Sequence, residues 1–262
     1  MKAIILAAGC GSRLRPLTDD KPKCMVSYQG RRLIDYEIDA LMQANIKDIA
    51  VVGGYKFEIL KEYVAQTYPA ITSIYHNENF ASTNMVASLF CASEWLEKCI
   101  KDKEDLIISY GDIVYFADTI QKLKRANKPL SIVIDKLWDT LWQQRFQNPL
   151  DDAETLKIVD NKIIEIGKKP KSYNDIDGQY IGLFKIAWDF LRPVIDFYKN
   201  MDRERLYDGK DYLNLYMTSF LQLLIDSFQN AYAVRIYGNW CEIDSQKDLS
   251  IGINGSATES LA

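Results

Sequence analysis

The sequence predicts an α/β fold: a mostly parallel, mixed sheet flanked by helices, carrying a small α+β elaboration. Three observations lead there. Up to residue 135, short apolar runs of strand length alternate with longer segments whose apolar residues recur at helical spacing. That alternation marks a parallel sheet covered on both faces. Beyond residue 150 a hairpin signature breaks the alternation. No long Pro/Gly/Ser linker and no internal repeat divides the 262 residues, so one large domain is expected.

Each element follows from its own pattern. Lys2 to Ala8 is an apolar run with paired isoleucines, bounded by Gly9, and reads as a buried strand. "LIDYEIDALMQA" (33–44) has helical spacing, "DIAVVGG" (48–54) is a strand, and "YKFEILKEYVAQTY" (55–68) is an amphipathic helix. "ITSIYH" (71–76) is the third strand, and residues 84–100 form one helix. "DLIISYGD" (105–112), "FADTIQKLKRA" (116–126) and "LSIVID" (130–135) continue as strand, helix and strand. "TLKIVDNKIIEIG" (155–167) sets two β-rich runs around Asp160-Asn161, a hairpin turn. "GQYIGLFKIA" (178–187) is a strand, followed by helices over 188–201 and 212–228. "AYAVRIYGNWCEIDS" (231–245) is a last strand running into Trp240 and an acidic turn. The small, polar tail at 255–262 is expected to be disordered.

Composition narrows the function. The chain is 48% hydrophobic and 26% charged, with net charge −4 and pI about 5.2. That acidic balance weighs against a nucleic-acid partner. The first apolar run is too short to span a membrane, and no signal cleavage site follows it. Five scattered cysteines without a C-x-x-C pair suit a reducing cytoplasm. His76 is the only histidine, which excludes His-rich metal sites.

The loop "LAAGCGSRLRPLTDDKPKCM" (6–25) leaves the first strand, where open α/β sheets bind ligands. Its glycines let backbone N–H groups approach an anion, and Arg13, Arg15, Lys21 and Lys23 supply charge. Leu14 stands where a dinucleotide fingerprint needs its third glycine and where a P-loop needs its second. The loop therefore suits a polyphosphate without Walker machinery; from spacing alone, a generic turn with solvated basic residues fits as well.

The stretch resembles, at essentially every fixed position, the nucleotidyltransferase signature L-A-A-G-x-G-[ST]-R-x-x-P-L-T-x-x-x-P-K. The resemblance implies the nucleotidyltransferase (GT-A-like) fold. It divides a single domain (1–254) into a nucleotide-binding core (1–135), an acceptor-binding elaboration (136–230) and a returning strand with a metal-binding turn (231–254). It implies that Leu6, Ala7, Ala8, Gly9, Gly11 and Ser12 enfold a nucleoside triphosphate. Arg13 would hold the β/γ-phosphates and Lys23 the α-phosphate. Asp112 and Asp244 match the family's two metal aspartates, with Glu242 in reserve, for Mg²⁺ or alternatively Mn²⁺. Each aspartate taken alone reads as a turn or capping residue.

"STNMVASL" (82–89) opens a helix whose N-terminus faces the nucleotide, with Thr83, Asn84 and Ser88 at the base or ribose; the plainer reading makes Ser82 or Thr83 a cap. Thr83-Asn84-Met85 in place of G-T-A, together with "EIDSQKDL", resembles the cytidylyltransferases of phosphocholine, 2-aminoethylphosphonate and phosphoglutamine rather than the sugar enzymes. "KPKCM", "DIVYF", "NPLDDAETLKIV" and "GQYIGL" resemble the phosphoglutamine group of capsule phosphoramidate synthesis. The partners implied are CTP and a small, amine-bearing phosphorylated or phosphonate acceptor.

"IIEIGKKPKSY" (163–173) resembles the family's Glu-Lys-Pro element, so Lys169, or Lys168 one register away, would meet the acceptor phosphate. Trp138, Asp152, Glu154, Tyr180 and Asp208 are expected around the acceptor's amine, although Trp138 and Trp142, four apart on a helix, fit plain packing equally. A sugar-1-phosphate nucleotidylyltransferase using UTP or dTTP, and a catalytically silent nucleotide sensor, are the alternatives. Monomer and homodimer both stay open.

Overall fold

β1 (Lys2–Ala7) is buried along its whole length because both faces of the sheet are covered. In the computed structural model, which describes residues 1–253, Ala3 and Ile5 point into one core and Ile4 and Leu6 into the other. The tail expected to be disordered, 255–262, lies outside the described residues.

The remaining strands of the main sheet are β2 (Ile49–Gly53), β3 (Ser73–His76), β4 (Leu106–Tyr110), β5 (Leu130–Asp135), β6 (Leu156–Val159), β7 (Lys162–Ile166), β8 (Gln179–Ile186) and β9 (Ala231–Ile236). They lie in the order β3-β2-β1-β4-β8-β5-β9-β7-β6. β1 pairs in parallel with β2 on one side and β4 on the other. The chain thus reverses its direction of travel across the sheet at β1, and the carboxyl ends of β1 and β4 flank a switch point where ligands bind. β8 then inserts antiparallel between β4 and β5, which mixes the sheet.

The helices are α1 (Leu33–Gln43), α2 (Phe57–Thr67), α3 (Met85–Cys91), α4 (Ser93–Asp102), α5 (Ala117–Arg125), α6 (Trp138–Arg145), α7 (Trp188–Lys199) and α8 (Met217–Phe228). One core takes residues of α1, α2, α5 and α6. The other takes residues of α3, α4, α7 and α8.

Three boundaries differ from the sequence expectation. The helix expected over 84–100 is two helices, broken at Ala92 (φ −94°, ψ 34°), which is fully buried. The break lets α3 pack against β1 and β2 while α4 packs against α7. Met217, not Tyr212, starts α8, because Tyr212–Asn214 forms a separate 3₁₀ turn capped by Asp211. The last strand ends at Ile236. The chain then turns, and Cys241–Glu242 pairs antiparallel with Ile113–Val114.

That two-residue pairing builds the site. Buried Asp135, at the end of β5, accepts from the N–H of Leu137 (2.9 Å), the N–H of Gly238 (2.8 Å) and Trp240 Nε1 (2.8 Å). Three donors on one buried carboxylate fix the exit of β9. Glu242 then sits opposite Ile113, and the Ile243 N–H donates to the Asp112 carbonyl at 2.9 Å. Two remote acidic stretches are so brought side by side.

Candidate active site

Two cavities open at the carboxyl ends of β1 and β4 and share Asn84, Met85 and Tyr110. The first is lined by Leu6, Ala7, Ala8, Gly9, Lys23, Thr83, Asn84, Ser88 and Asp112 among the expected nucleotide residues. Gly11, Ser12 and Arg13 do not line it. Gly11 adopts φ +61°, and a Cβ there would stand 2.9 Å from Lys23 Cβ, so its work is to let the loop press on Lys23. Gly9 is the opposite case: a Cβ would meet nothing within 4 Å, which leaves open space beside the backbone inside the cavity. Cys24, Phe80, Met85, Tyr110 and Gly111 also line the cavity without having been singled out. Cys24 and Tyr110-Gly111 are chain neighbours of Lys23 and Asp112, a signal the sequence did offer; for Phe80 it offered none.

Asn84 is itself the N-cap of α3, its Oδ1 accepting from the Met85 N–H at 2.8 Å. The cap expected at Ser82 or Thr83 is therefore corrected. The Asn84 N–H donates to the Leu213 carbonyl (2.9 Å), tying the start of α3 to the turn before α8. Asn77, 2% exposed, donates to Thr83 Oγ1 and Ser88 Oγ, both at 2.9 Å, and so anchors the segment between β3 and α3.

At the junction of the cavities, ligand oxygens of Asp112, Glu242 and Asp244 lie within 4.8 Å of one another. Three like charges this close need compensation. Lys23 Nζ donates to Asp112 Oδ2 at 2.6 Å and also to Asp244. Arg13, 64% exposed at the rim, pairs with the other oxygen of Asp244. Arg145 Nη1 donates to Glu242 Oε2 at 2.7 Å. Burial opposes the charge on Lys23, but Asp112 and Asp244 outweigh it and push the ammonium above its ordinary range. Burial likewise opposes charge on Asp244, yet Lys23 first and Arg13 next hold its carboxyl low. Burial pushes Glu242 up to about 7 against the pull of Arg145. Asp112 Oδ1 is buried and has no hydrogen-bond partner. An orphaned carboxylate oxygen facing two further carboxylates is a donor set for a hard divalent cation.

The second cavity is lined by Asp152, Glu154 and Tyr180 among the expected acceptor residues, together with Trp142, Gln179, Gly182, Tyr216, Thr218 and Trp240. Among the described residues, no lysine or arginine lines it. Burial pushes Glu154 up to about 7 and raises Asp152. The Gln179 side chain clasps the backbone of Glu154, accepting from its N–H at 3.1 Å and donating to its carbonyl. Tyr180 Oη is buried without a partner and its ring meets Tyr110 edge-on at 5.7 Å.

Three expected acceptor residues fall elsewhere. Trp138 is 5% exposed, packed on Trp142 and Tyr173 at 6.0 and 5.7 Å; the helical pair faces the core and only Trp142 reaches the cavity. Asp208 takes φ +49° in the turn 207–210, is exposed and does not line the cavity. Lys169 donates to the carbonyls of Leu150 (2.6 Å) and Asp151 (2.5 Å), while Lys168 pairs with Glu165 at 2.8 Å. Neither lysine lines either of the two cavities: Lys169 is spent on the loop at 150–151 and Lys168 on Glu165.

A glycine-rich turn against one cavity, an oxygen-donor cluster at its mouth and a second cavity beyond are the parts of an enzyme that moves a group between two bound molecules. Residues 2–140 match the nucleotidyl transferase family. The chain belongs to that family.

It is 56% identical to the CTP:phosphoglutamine cytidylyltransferase of Campylobacter jejuni, over 97% of this chain and 99% of that one. It is 39% identical to the choline-phosphate cytidylyltransferase of Streptococcus pneumoniae over 37% of this chain and 41% of that one. Among solved structures, the inositol-1-phosphate CTP transferase of T. maritima superposes with TM-score 0.74 at 22% identity, covering 94% and 90% of the two chains. At that identity the likeness is one of fold. Among the described residues, no helix is long and apolar enough to cross a membrane.

Proposed function

We propose that the protein is a Mg²⁺-dependent cytidylyltransferase of the cytoplasm, transferring CMP from CTP to the phosphate of phosphoglutamine and releasing pyrophosphate. One observation carries the reading: the two cavities meet at the cluster of Asp112, Glu242 and Asp244. The acceptor is argued from the relative that shares nearly the full chain and from an acid-lined cavity suited to an ammonium group.

In this reading the acceptor phosphate, already ionised at neutral pH, attacks the α-phosphorus in line with the departing pyrophosphate. Lys23 stands between the carboxylates at the mouth of the nucleotide cavity and neutralises charge that grows on the α-phosphate. Arg13, exposed at the rim, offers its planar fork to the outer phosphates. Asp112 and Asp244, with Glu242 beside them, would hold Mg²⁺, which supplies charge neutralisation for the pyrophosphate. Asp152 and Glu154 receive the acceptor's amine, and Tyr180 and Thr218 offer hydroxyls to its polar end. Lys169 fixes the loop that delivers Asp152 and Glu154. No general base is required, which agrees with His76 lying outside both cavity linings.

The test is pyrophosphate release with each of four nucleoside triphosphates and a panel of acceptors. Turnover is expected with CTP and phosphoglutamine. Turnover confined to UTP or dTTP with a sugar 1-phosphate would overturn the assignment.

A further inference from the structure

Glu242 ends the two-residue strand Cys241–Glu242 and Asp244 lies just beyond it, so something outside this short stretch must hold it in place. One side chain grips Glu242 directly and Asp244 through an intermediate, Asp248. Arg145, the last residue of α6, is 1% exposed at its side chain. Its Nη1 donates to Glu242 Oε2 at 2.7 Å, and its Nε donates to Asp248 Oδ1 at 3.1 Å. Asp248 is 2% exposed. Its second oxygen, Oδ2, accepts from the N–H of Asp244 (3.0 Å), the N–H of Ser245 (2.7 Å) and Ser245 Oγ (3.0 Å). From the other direction, Lys247 Nζ donates to the Arg145 carbonyl at 2.8 Å.

The arrangement is a clamp. Arg145 grips Glu242 directly, and grips the backbone of Asp244 through Asp248. The geometry uses the fixed fork of the guanidinium, because one planar group serves two carboxylates in different directions. A buried charge network of this kind is weak evidence for stability by itself, since desolvation offsets most of its attraction. Its geometric effect is clearer: it fixes the Glu242 carboxylate and the backbone that carries Asp244, whereas Lys23 and Arg13 contact the Asp244 carboxylate itself. Arg145 also leaves the rest of its helix to other duties, and Trp142 of that helix lines the acceptor cavity.

We propose that Arg145 and Asp248 are positioning residues that set the affinity of the carboxylate cluster for its divalent cation. The proposal rests on the reading of Asp112, Glu242 and Asp244 as a metal site. Residues that orient metal ligands from behind commonly govern about 10- to 100-fold in metal affinity.

The experiment is Mn²⁺ binding to the full chain with CTP, followed by electron paramagnetic resonance, alongside thermal melting. The variants are Arg145→Lys, Arg145→Met and Asp248→Asn. An asparagine at 248 keeps the volume, but its NH₂ cannot accept from one of the two sides. We expect Asp248→Asn and Arg145→Met to weaken Mn²⁺ binding about 10- to 100-fold. Arg145→Lys should fall between them and the parent, since one ammonium keeps one partner and loses the fork. At saturating Mn²⁺, kcat should return to within a few-fold of the parent. If Arg145→Met fails to fold, the other two variants decide. Unchanged Mn²⁺ affinity in folded Arg145→Lys and Asp248→Asn, with only a lower melting temperature, would overturn the clamp and leave the metal site standing. If the parent protein with CTP binds no Mn²⁺, the metal reading itself fails and the clamp goes with it.

Discussion

The cavity proposed for the nucleotide is assembled from four short stretches of chain: 6–9, 23–24, 80–88 and 110–112. The cavity proposed for the acceptor draws on positions scattered from Asn84 to Asp244, taken from α3, β4 and the stretch after it, α6 and the loop after it, β8, the start of α8 and the stretch after β9. The first lies at a switch point of parallel strands, where two strand ends and one glycine-rich loop suffice. The second lies where the sheet turns antiparallel, and β8 shifts register between Tyr180 and Phe184 beside Gly182. A fixed strand-end site suits a group that never varies, as a triphosphate would be in the proposed reaction. An assembled cavity suits a group whose shape differs between relatives.

That contrast can be broken or sharpened by substitution, and the largest effect is expected where the cavities meet. Asp112→Asn or Asp244→Asn should lower kcat/KM by roughly 10²–10³-fold with the fold intact, as expected for lost charge stabilisation in an enclosed site. Steady-state kinetics with circular dichroism would read it. Retained activity in either variant would separate the chemistry from the junction.

The next effect belongs to the acceptor side alone. Glu154→Gln should raise the acceptor KM about tenfold, the scale of one charged contact, and leave the CTP KM unchanged. The carboxylate is the form that pairs with an amine, and burial sets its protonation near 7. In the parent enzyme the acceptor KM should therefore fall as pH rises through about 7. In Glu154→Gln that component should vanish, leaving only the acceptor's own ionisation. Equal effects on both KM values would show that the cavities are not separate.

Gly9→Ala tests the nucleotide side with one methyl group. Its Cβ meets no protein atom. The melting temperature should hold, and the CTP KM should rise about tenfold if the ligand fills that space. The smallest functional effect is expected at Trp138. Trp138→Phe should lower stability by about 1–2 kcal/mol through lost packing, measured by denaturant melting, with the acceptor KM unchanged.

Legibility in the sequence follows the same division. The loop from Leu6 to Lys23 is contiguous, so its residue types and spacing could be read together, and Asp112 closes a visibly apolar strand. The break at Ala92 was not legible, because apolar residues keep helical spacing through it and only tertiary packing ends α3. Trp138 and Trp142 share one helix face in any helical reading. Which of them reaches a ligand depends on Tyr173 and Trp240, distant in the chain. The clamp of Arg145 and Asp248 left no local signal, since its partners lie about a hundred positions apart. Asp135 resembles any strand-end aspartate until its three donors from remote turns are seen.

The account stands on one ion at the wall between two cavities. Its most direct measurement is anomalous scattering from a crystal of the protein grown with CTP and Mn²⁺. The account predicts a single strong peak between the carboxylates of Asp112 and Asp244, with triphosphate density beside Lys23. A peak elsewhere, or nucleotide density outside the cavity lined by Gly9 and Asp112, would contradict it.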